Sequence, residues 1–315
     1  MKSLLILASL GCFGGVFALP PTTRQGKTEQ IYITDTGNNR VVRIDDMTGR
    51  GWSAFGARGK GVGQFNGPVG LSIDARHRLH IADSMNARVV RMDDIRGTNW
   101  TAFRTIPADS DNERFDGPAL WGLTTGPKGS VYTANGLFGQ VSLIPDLKGK
   151  RIRFYKPHGP KTLIFAAGVA LDRSGRLYIA DKGGRVVRMD NIDGKNWTAY
   201  GRTGKDKGEF GECSGICLDN LGRIYITDAI NCMIVRIDNM QGTARKAFGN
   251  KGRGRGEFEA PTGICLDTAG RIYVTDSGNG RIVRIDDLNG THWTSFGSNG
   301  SGTAQFNNPL AVSVR

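Results

Sequence analysis

Arg271-Ile272-Tyr273-Val274-Thr275-Asp276-Ser277-Gly278-Asn279-Gly280-Arg281-Ile282-Val283-Arg284-Ile285-Asp286-Asp287 is the stretch that decides how this chain folds. Its first part recurs five more times, as Ile31–Asp35, Leu79–Asp83, Val131–Asn135, Leu177–Asp181 and Ile224–Asp228. The acidic or amide residue that closes each copy follows the previous one by about 46–52 residues. A period of this length is typical of units built from four β-strands and is longer than most helical repeats.

Each repeat also contains the sequence signals of four strands. Residues 69–104 show them clearly, because four strand-like runs alternate there with turn residues. These runs are Gly70–Asp74, Leu79–Asp83, Arg88–Met92 and Asn99–Phe103. Six such repeats predict an all-β fold, a six-bladed β-propeller whose blades are four-stranded antiparallel sheets.

The two ends of the repeat region predict how the ring of blades closes. The first repeat begins in a second strand at Ile31, whereas the chain ends in a first strand, Leu310–Val314. The last strand must therefore complete the first blade. Closure of this kind leaves no innermost sheet edge unpaired.

The N-terminal residues read differently from the repeats. Lys2 precedes the apolar run Leu4–Ala8, and Val16-Phe17-Ala18 offers small or tolerated residues where a signal peptidase cleaves. We therefore expect a signal peptide at residues 1–18, a flexible leader at 19–29, a single propeller at 30–315 and no transmembrane segment in the mature chain. Export would be to the periplasm, the cell surface or the medium. Lipoprotein anchoring at Cys12 is the alternative.

Charge and cysteine content limit the class of partner. The chain has 42 Lys and Arg against 29 Asp and Glu, and its formal net charge is +13. This excess favours cell-wall polymers, lipopolysaccharide, acidic proteins or nucleic acid as partners. The alternative is a soluble, basic, exported protein whose charge serves no specific partner. Cys217 and Cys265 are repeat-equivalent, so we expect them to pack as small apolar residues. A disulfide between Cys213 and Cys232 is left open.

Several repeated polar residues have a structural interpretation. The loop after the second strand carries Asp and Arg, as in Asp83 and Arg88, which we expect to pair across the loop. The turn after the third strand, such as Asp45–Gly49, is too short to be a full calcium loop. The outer strand carries a repeated tryptophan, as at Trp100, which favours packing of the outer rim over sugar binding.

At this point a family resemblance is evident. Residues 65–74 with 79–90, and more closely 258–267 through 281–283, resemble the NHL repeat, and the resemblance extends over residues 31–315. It implies a six-bladed β-propeller. It does not choose a function, because the family includes sensor domains, RNA-binding modules and peptide-amidating lyases.

A lyase of that type would need a channel metal bound by histidines from several blades. The four histidines are His77, His80, His158 and His292, and they do not share one repeat position, so a zinc site is not supported. The residues expected to ring one channel mouth are Val69, Trp121, Ala167, Ser214, Thr262 and Leu310, and none is ionisable. We therefore assign no catalytic residue, no metal ligand and no cofactor.

Binding residues are expected on the loops that connect one repeat to the next. Basic residues that do not recur exactly lie there, namely Arg58, Lys60, Arg202, Lys205, Lys207, Lys251, Arg253 and Arg255. The third repeat departs most from the pattern, with Trp121 at the expected mouth and a basic, aromatic segment after its third strand. From that segment we take Arg153, Tyr155, Lys156, His158 and Lys161 as candidates. Loops on a rigid scaffold commonly carry binding residues.

The sequence thus predicts an exported, non-enzymatic binding propeller that presents one loop face to a protein or an anionic polymer. A metal-dependent lyase or hydrolase with its site at the channel is the first alternative. Nucleic-acid binding by the basic face is the second, opposed by the export signal and by the lack of an ordered set of stacking aromatic residues.

Overall fold

The computed structural model describes residues 29–105, 120–146, 152–155 and 161–315. The predicted signal peptide and all but the last residue of the predicted leader lie outside these ranges, as do Lys156 and His158. That last residue, Glu29, accepts a hydrogen bond of 2.9 Å from Arg271.

Six four-stranded antiparallel sheets form the fold, which is the predicted all-β six-bladed β-propeller. Blade 1 contains β1 (Ile31–Asp35), β2 (Arg40–Ile44) and β3 (Ser53–Phe55), together with the last strand of the chain. Blade 2 contains β4 (Pro68–Ile73), β5 (Leu79–Asp83), β6 (Arg88–Met92) and β7 (Thr101–Arg104). Blade 3 contains β8 (Leu123–Thr125), β9 (Val131–Asn135), β10 (Gln140–Ile144) and β11 (Arg153–Phe154). Blade 4 contains β12 (Ala166–Leu171), β13 (Leu177–Asp181), β14 (Arg185–Met189) and β15 (Thr198–Tyr200), and β16 (Arg202–Thr203) and β17 (Glu209–Phe210) follow it. Blade 5 contains β18 (Cys213–Leu218), β19 (Ile224–Asp228), β20 (Met233–Ile237) and β21 (Lys246–Phe248), followed by β22 (Asn250–Lys251) and β23 (Glu257–Phe258). Blade 6 contains β24 (Pro261–Leu266), β25 (Ile272–Asp276), β26 (Arg281–Ile285) and β27 (Thr294–Phe296), and β28 (Ser298–Asn299), β29 (Gln305–Phe306) and β30 (Pro309–Val314) end the chain.

Strand β30 closes the ring as predicted. It pairs antiparallel with β1, and the register places Val314 opposite Ile31 and Val312 opposite Ile33. The sheet order of blade 1 is therefore β30, β1, β2 and β3 from the channel outward. The first blade is built from both ends of the repeat region.

The apolar core lies between neighbouring blades. Alternating residues of the second and third strands point to opposite faces of a sheet, and both faces are covered by other blades. Between blades 6 and 1, for example, Tyr273 and Ile282 pack with Ile31, Ile44 and Val312. Each blade is held by its two neighbours, and six such interfaces make one continuous ring.

Glycines permit the close approach of the innermost strands. A Cβ atom added to Gly215 would lie 2.2 Å from the carbonyl oxygen of Thr262, and one added to Gly122 would lie 2.4 Å from that of Ala167. The same clash, at 2.6–2.7 Å, would occur at Gly70, Gly168 and Gly263. A side chain at these positions would push neighbouring blades apart.

Two kinds of loop form the face that we call the upper face. They are the loops from the second to the third strand of each blade, and the loops from the fourth strand to the next blade, which contact each other: the Asn86 amide donates to the Gly59 carbonyl at 2.8 Å. Short 3-10 turns occur at Thr36–Asn38, Ser84–Asn86, Gly136–Phe138 and Ser277–Asn279 on this face, and at Pro127–Gly129 on the other. The blade-to-blade loops also contain the parallel pairs β16–β17, β22–β23 and β28–β29, which the Gly-rich sequence did not suggest.

Candidate binding face

The central channel is narrow and apolar. Its cavity measures about 80 Å³, and its lining includes the six residues expected at one mouth: Val69, Trp121, Ala167, Ser214, Thr262 and Leu310. None of the residues that line this cavity is ionisable. The described part of the channel therefore supplies no acid, base or charged nucleophile.

In every blade except blade 3, which has Asn135, a carboxylate fixes the loop after the second strand. In blade 2, Asp83 is fully buried and accepts hydrogen bonds of 2.7 Å from Arg88 Nε and 2.8 Å from Asn86. Arg88 also donates to the carbonyl groups of Lys60 and Gln64, in the loop that enters the blade. Asp35, Asp181 and Asp276 are bound in the same way by Arg40, Arg185 and Arg281. These bonds confirm the predicted Asp–Arg pair as a structural clamp.

The repeated tryptophans pack on the clamp arginines. The Arg88 guanidinium lies 5.8 Å from the Trp100 ring, whose centroid is 5.3 Å from that of Phe65. The pairs Arg40–Trp52, Arg185–Trp197 and Arg281–Trp293 repeat this contact at 5.7–5.9 Å. The tryptophans therefore contribute to the packing of the outer rim, as the sequence predicted.

The basic candidate residues of the blade-to-blade loops all lie on the upper face. Arg58, Lys60, Lys205, Lys207, Arg253 and Arg255 are exposed. Arg202 is paired with Glu209 at 2.7 Å, and Lys251 with Glu259 at 3.4 Å. The loops of blades 1, 4 and 5 thus give the upper face a positive charge.

The structure separates the candidates of the third repeat. Trp121 lines the channel at the upper face, whereas Arg153 forms two bonds, of 2.5 and 2.7 Å, with Asp193 in a turn of the opposite face. Tyr155 is 3% exposed and donates to the Lys161 carbonyl. It also packs on Gly194, as Phe55 packs on Gly97 in the preceding repeats. Tyr155 therefore has a packing role, and the exposed Lys161 stays a candidate.

Exposed apolar side chains concentrate on the upper face, which the sequence analysis did not recognise. Among the described residues, seven large apolar side chains are exposed. Six belong to upper-face loops, namely Val62, Met85, Leu137, Phe138, Ile164 and Ile230, and Leu221 lies on the opposite face. Met85, Leu137 and Ile230 occupy a loop position at which blades 1, 4 and 6 have glycine. That contrast was the available sequence signal.

A second feature beside the channel was also missed. The Lys182 ammonium lies 4.5 Å from the Trp121 ring centroid, 4.9 Å from that of Phe165, and 2.5 Å from Glu212 Oε1. Trp121 and Phe165 stack edge to face, with centroids 5.2 Å apart. We call these four residues the Lys182 cluster.

The remaining chemical groups are structural or isolated. His80 is fully buried and lies 3.1 Å from Asp74, and burial lowers its pKa. Cys213, Cys217, Cys232 and Cys265 are free, and burial raises the pKa of Cys213 well above its usual range. Within the described residues, no three or more His, Cys, Asp and Glu side chains are grouped to hold a metal ion. The described helices are too short and polar to cross a membrane.

Comparisons with known proteins agree with this geometry. The sequence profile of the NHL repeat matches residues 258–285, and that of the N-terminal part of strictosidine synthase-like proteins matches residues 168–189. Fold and repeats together define a six-bladed propeller of four-stranded blades. The chain is a six-bladed β-propeller in which residues 258–285 match the NHL repeat. No curated protein sequence matches it.

Solved structures with the same fold have diverse roles. A chain of a nidogen/laminin complex has a TM-score of 0.65 at 14% identity, over 91% of this chain and 98% of that one. A catalytically inactive virginiamycin B lyase from Staphylococcus aureus, solved with quinupristin, has a TM-score of 0.54 at 20% identity, over 78% and 73%. A Bacteroides caccae protein of unknown function has a TM-score of 0.61 at 12% identity, over 91% and 98%. Likeness at these identities establishes the fold alone.

Proposed function

We propose that this protein binds another protein through its upper face. The concentration of exposed apolar side chains there is the observation that supports this function. Six of the seven exposed large apolar residues in the described ranges lie on that face. A concentration of exposed apolar side chains on one face is characteristic of protein interfaces.

The charge of the same face adds a preference among partners. Lys205, Lys207, Arg253 and Arg255 are exposed on the same face as these apolar side chains. Such charges raise the association rate of an acidic partner and add less to final affinity, because exposed charges are screened by salt. The partner is therefore a protein with an acidic, partly apolar surface, met outside the cytoplasm if the predicted signal peptide acts.

The experiment compares matched surface variants in affinity capture from an extract of the source organism. Met85→Glu, Leu137→Glu and Ile230→Glu are combined in one variant, and Leu221→Glu on the opposite face is the control. We expect wild type and control to retain the same protein in equimolar amount and the triple variant to lose it. Equal capture by the triple variant would refute the proposal.

The two alternatives are tested with the same material. An anionic polymer or RNA would depend on charge alone, so its binding would fall steeply with salt and would survive the triple apolar substitution. A lyase or hydrolase at the channel would need groups that the described channel lining does not provide. Turnover that survives in Trp121→Ala would place any enzyme activity elsewhere.

A further inference from the structure

The Lys182 cluster is where four residues depart from the repeat at one point. The position before the first strand is Gly67, Ala260 or Asn308 in blades 2, 6 and 1, whereas it is Phe165 in blade 4 and Glu212 in blade 5. The position after the buried carboxylate is Thr36, Ser84 or Ser277 in blades 1, 2 and 6, whereas it is Lys182 in blade 4. Trp121 replaces a small or aliphatic residue at the channel mouth.

At the position of Lys182, blades 1 and 6 have a hydroxyl group that bonds to the next blade, and here a partly exposed ammonium takes its place. The hydroxyl groups of Thr36 and Ser277 donate to the carbonyl groups of Pro68 and Pro309 in the next blade, at 2.6 and 2.5 Å. Lys182 instead extends over the rings of Trp121 and Phe165 toward Glu212. Three neighbouring blades therefore contribute to one charged group, and this arrangement does not serve the packing that the repeat provides elsewhere.

We propose that the Lys182 ammonium binds a carboxylate on an acidic side chain of the partner protein, an inference that rests on the proposed function. The two rings and Glu212 hold the ammonium in place, so little side-chain entropy is lost when a ligand binds. The ammonium has three N–H donors, and the ion pair with Glu212 leaves donors for a ligand. The Lys182 side chain remains 22% exposed.

The surroundings select a carboxylate that is flanked by apolar groups. Ile164 is 67% exposed and lies against Gly183, the residue that follows Lys182, and Ile230 is 63% exposed beside Gly211, the residue that precedes Glu212. A partner that covers these side chains excludes water and strengthens an ion pair at Lys182. The basic loops that follow blades 4 and 5 favour an acidic segment in the same position.

Two substitutions are expected to act in opposite directions. Lys182→Met keeps an unbranched apolar stem over the rings and removes the ligand-binding charge, so carboxylate binding is lost. Glu212→Gln removes the competing carboxylate, so carboxylate binding becomes tighter. The alternative is that a cation of the partner takes the place of the Lys182 ammonium on the rings beside Glu212. In that case Lys182→Met would tighten binding of the partner, and Glu212→Gln would weaken it.

The experiment uses matched peptide probes and a local signal. Ac-Leu-Glu-Leu-NH2 and Ac-Leu-Gln-Leu-NH2 differ only in the carboxylate, and each is titrated against the full chain while the indole N–H resonance of Trp121 is followed by NMR. Trp121→Phe identifies that resonance among the five tryptophans. We expect the Glu probe to bind about tenfold more tightly than the Gln probe. Lys182→Met should abolish this difference, and Glu212→Gln should enlarge it.

Other outcomes would overturn the assignment. Equal binding of the two probes, or a preference for Glu that survives Lys182→Met, would show that the ammonium does not bind the carboxylate. Ac-Leu-Gln-Leu-OH has a free C-terminal carboxylate and no acidic side chain. If it bound more tightly than Ac-Leu-Glu-Leu-NH2, the site would take a chain terminus and not an acidic side chain. Loss of capture in the triple apolar variant together with equal probe binding would leave the proposed function intact and reject only the role of Lys182.

Discussion

At the scale of residues, the buried carboxylate that ends the second strand of five blades shows how the repeat tolerates variation. Asp83 accepts hydrogen bonds from the side chains of Arg88 and Asn86 and from the main-chain amide of Asn66. In blade 5, Met233 replaces the arginine, and Asp228 accepts bonds from the main-chain amides of Gly211 and Glu212 as well as from Asn231. In blade 2 a side-chain cation and a backbone amide offset the buried charge, whereas in blade 5 two backbone amides and Asn231 do so without a cation.

The clamp arginine should therefore be needed in blade 2. We expect Arg88→Met to lower the free energy of unfolding by about 2–4 kcal/mol, because Asp83 would stay buried without its cation. The carbonyl groups of Lys60, Gly61 and Gln64 would also lose their donor. Chemical denaturation measures the change. Arg96→Met, which removes an exposed pair with Asp94, is the control and should have little effect. A cost below about 1 kcal/mol for Arg88→Met would contradict the clamp.

His80 is a second residue that breaks the repeat. Blades 4 to 6 have tyrosine at this position, and the hydroxyl groups of Tyr178 and Tyr225 reach an aspartate oxygen at 3.4 Å. His80 makes the corresponding contact with Asp74 at 3.1 Å. Burial raises the pKa of Asp74, but hydrogen bonds from Arg78 and His80 outweigh this and lower it to about 2.

The presence of His80 where other blades have tyrosine predicts that the stability of the fold depends on pH. Burial lowers the pKa of His80 in the folded state, so the unfolded chain binds the proton first and stability falls as the pH drops below about 6.5. Asp74 acts in a lower window, because its stabilisation is lost only as the pH falls from about 3.8 toward 2. We expect His80→Tyr to flatten the stability profile between pH 7.5 and 5, measured by denaturation at each pH. Parallel profiles for variant and wild type would disprove it.

At the scale of elements, the loop between blades 4 and 5 differs from its relatives. In the loop between blades 5 and 6, Arg281 donates to the carbonyl groups of Arg253 and Glu257. The corresponding residue for the loop of β16 and β17 is Met233, which has no donor for these groups, and Arg245 stands where the packing tryptophan is found elsewhere. The loop that carries Lys205 and Lys207 is therefore held by fewer bonds.

Backbone exchange should report this difference. We expect the amides of residues 203–209 to exchange faster than those of 251–257 in hydrogen–deuterium exchange, because fewer bonds must break to open the loop. The double substitution Met233→Arg and Arg245→Trp restores the clamp and its packing partner, and it should slow exchange in 203–209 alone. If both loops already exchange at one rate in the wild type, the missing clamp has no effect on local stability.

At the scale of the whole molecule, stability depends on closure of the ring. Strand β30 pairs with β1 and packs between the first strands of blades 6 and 2. Pro309 and Val312 in this strand are buried. Without β30, blade 1 would expose the edge of β1, and two blade interfaces would lose their innermost layer.

Deletion of residues 309–315 should consequently destabilise the entire propeller. We expect the melting temperature to fall by at least about 10 °C, if the protein folds at all, because several buried side chains and a full set of strand hydrogen bonds are removed. Differential scanning calorimetry measures this, and removal of residues 1–18 is the control. An unchanged melting temperature in the deletion variant would refute closure by β30.

The architecture was predictable because it repeats. The period, the strand runs and the final half-blade predicted six blades and the strand that closes them, and the Asp83–Arg88 pair was visible from spacing alone. The residues that depart from the repeat were harder to interpret from the sequence. Arg153 and Tyr155 looked like one recognition segment with Trp121, yet the strand β11 places the Arg153 side chain at the opposite face and buries Tyr155.

The sequence by itself determined the blades, the order of strands and the Asp–Arg pairs of the loops, because these features recur at a fixed spacing in the repeat. Only the tertiary structure decided which side chains share a surface. Trp121, Phe165, Lys182 and Glu212 are up to 91 residues apart and come from three blades, and the curvature of the ring brings them together. A one-dimensional period fixes local pairing, whereas the proximity of unlike residues from different blades follows from how the blades converge on the channel.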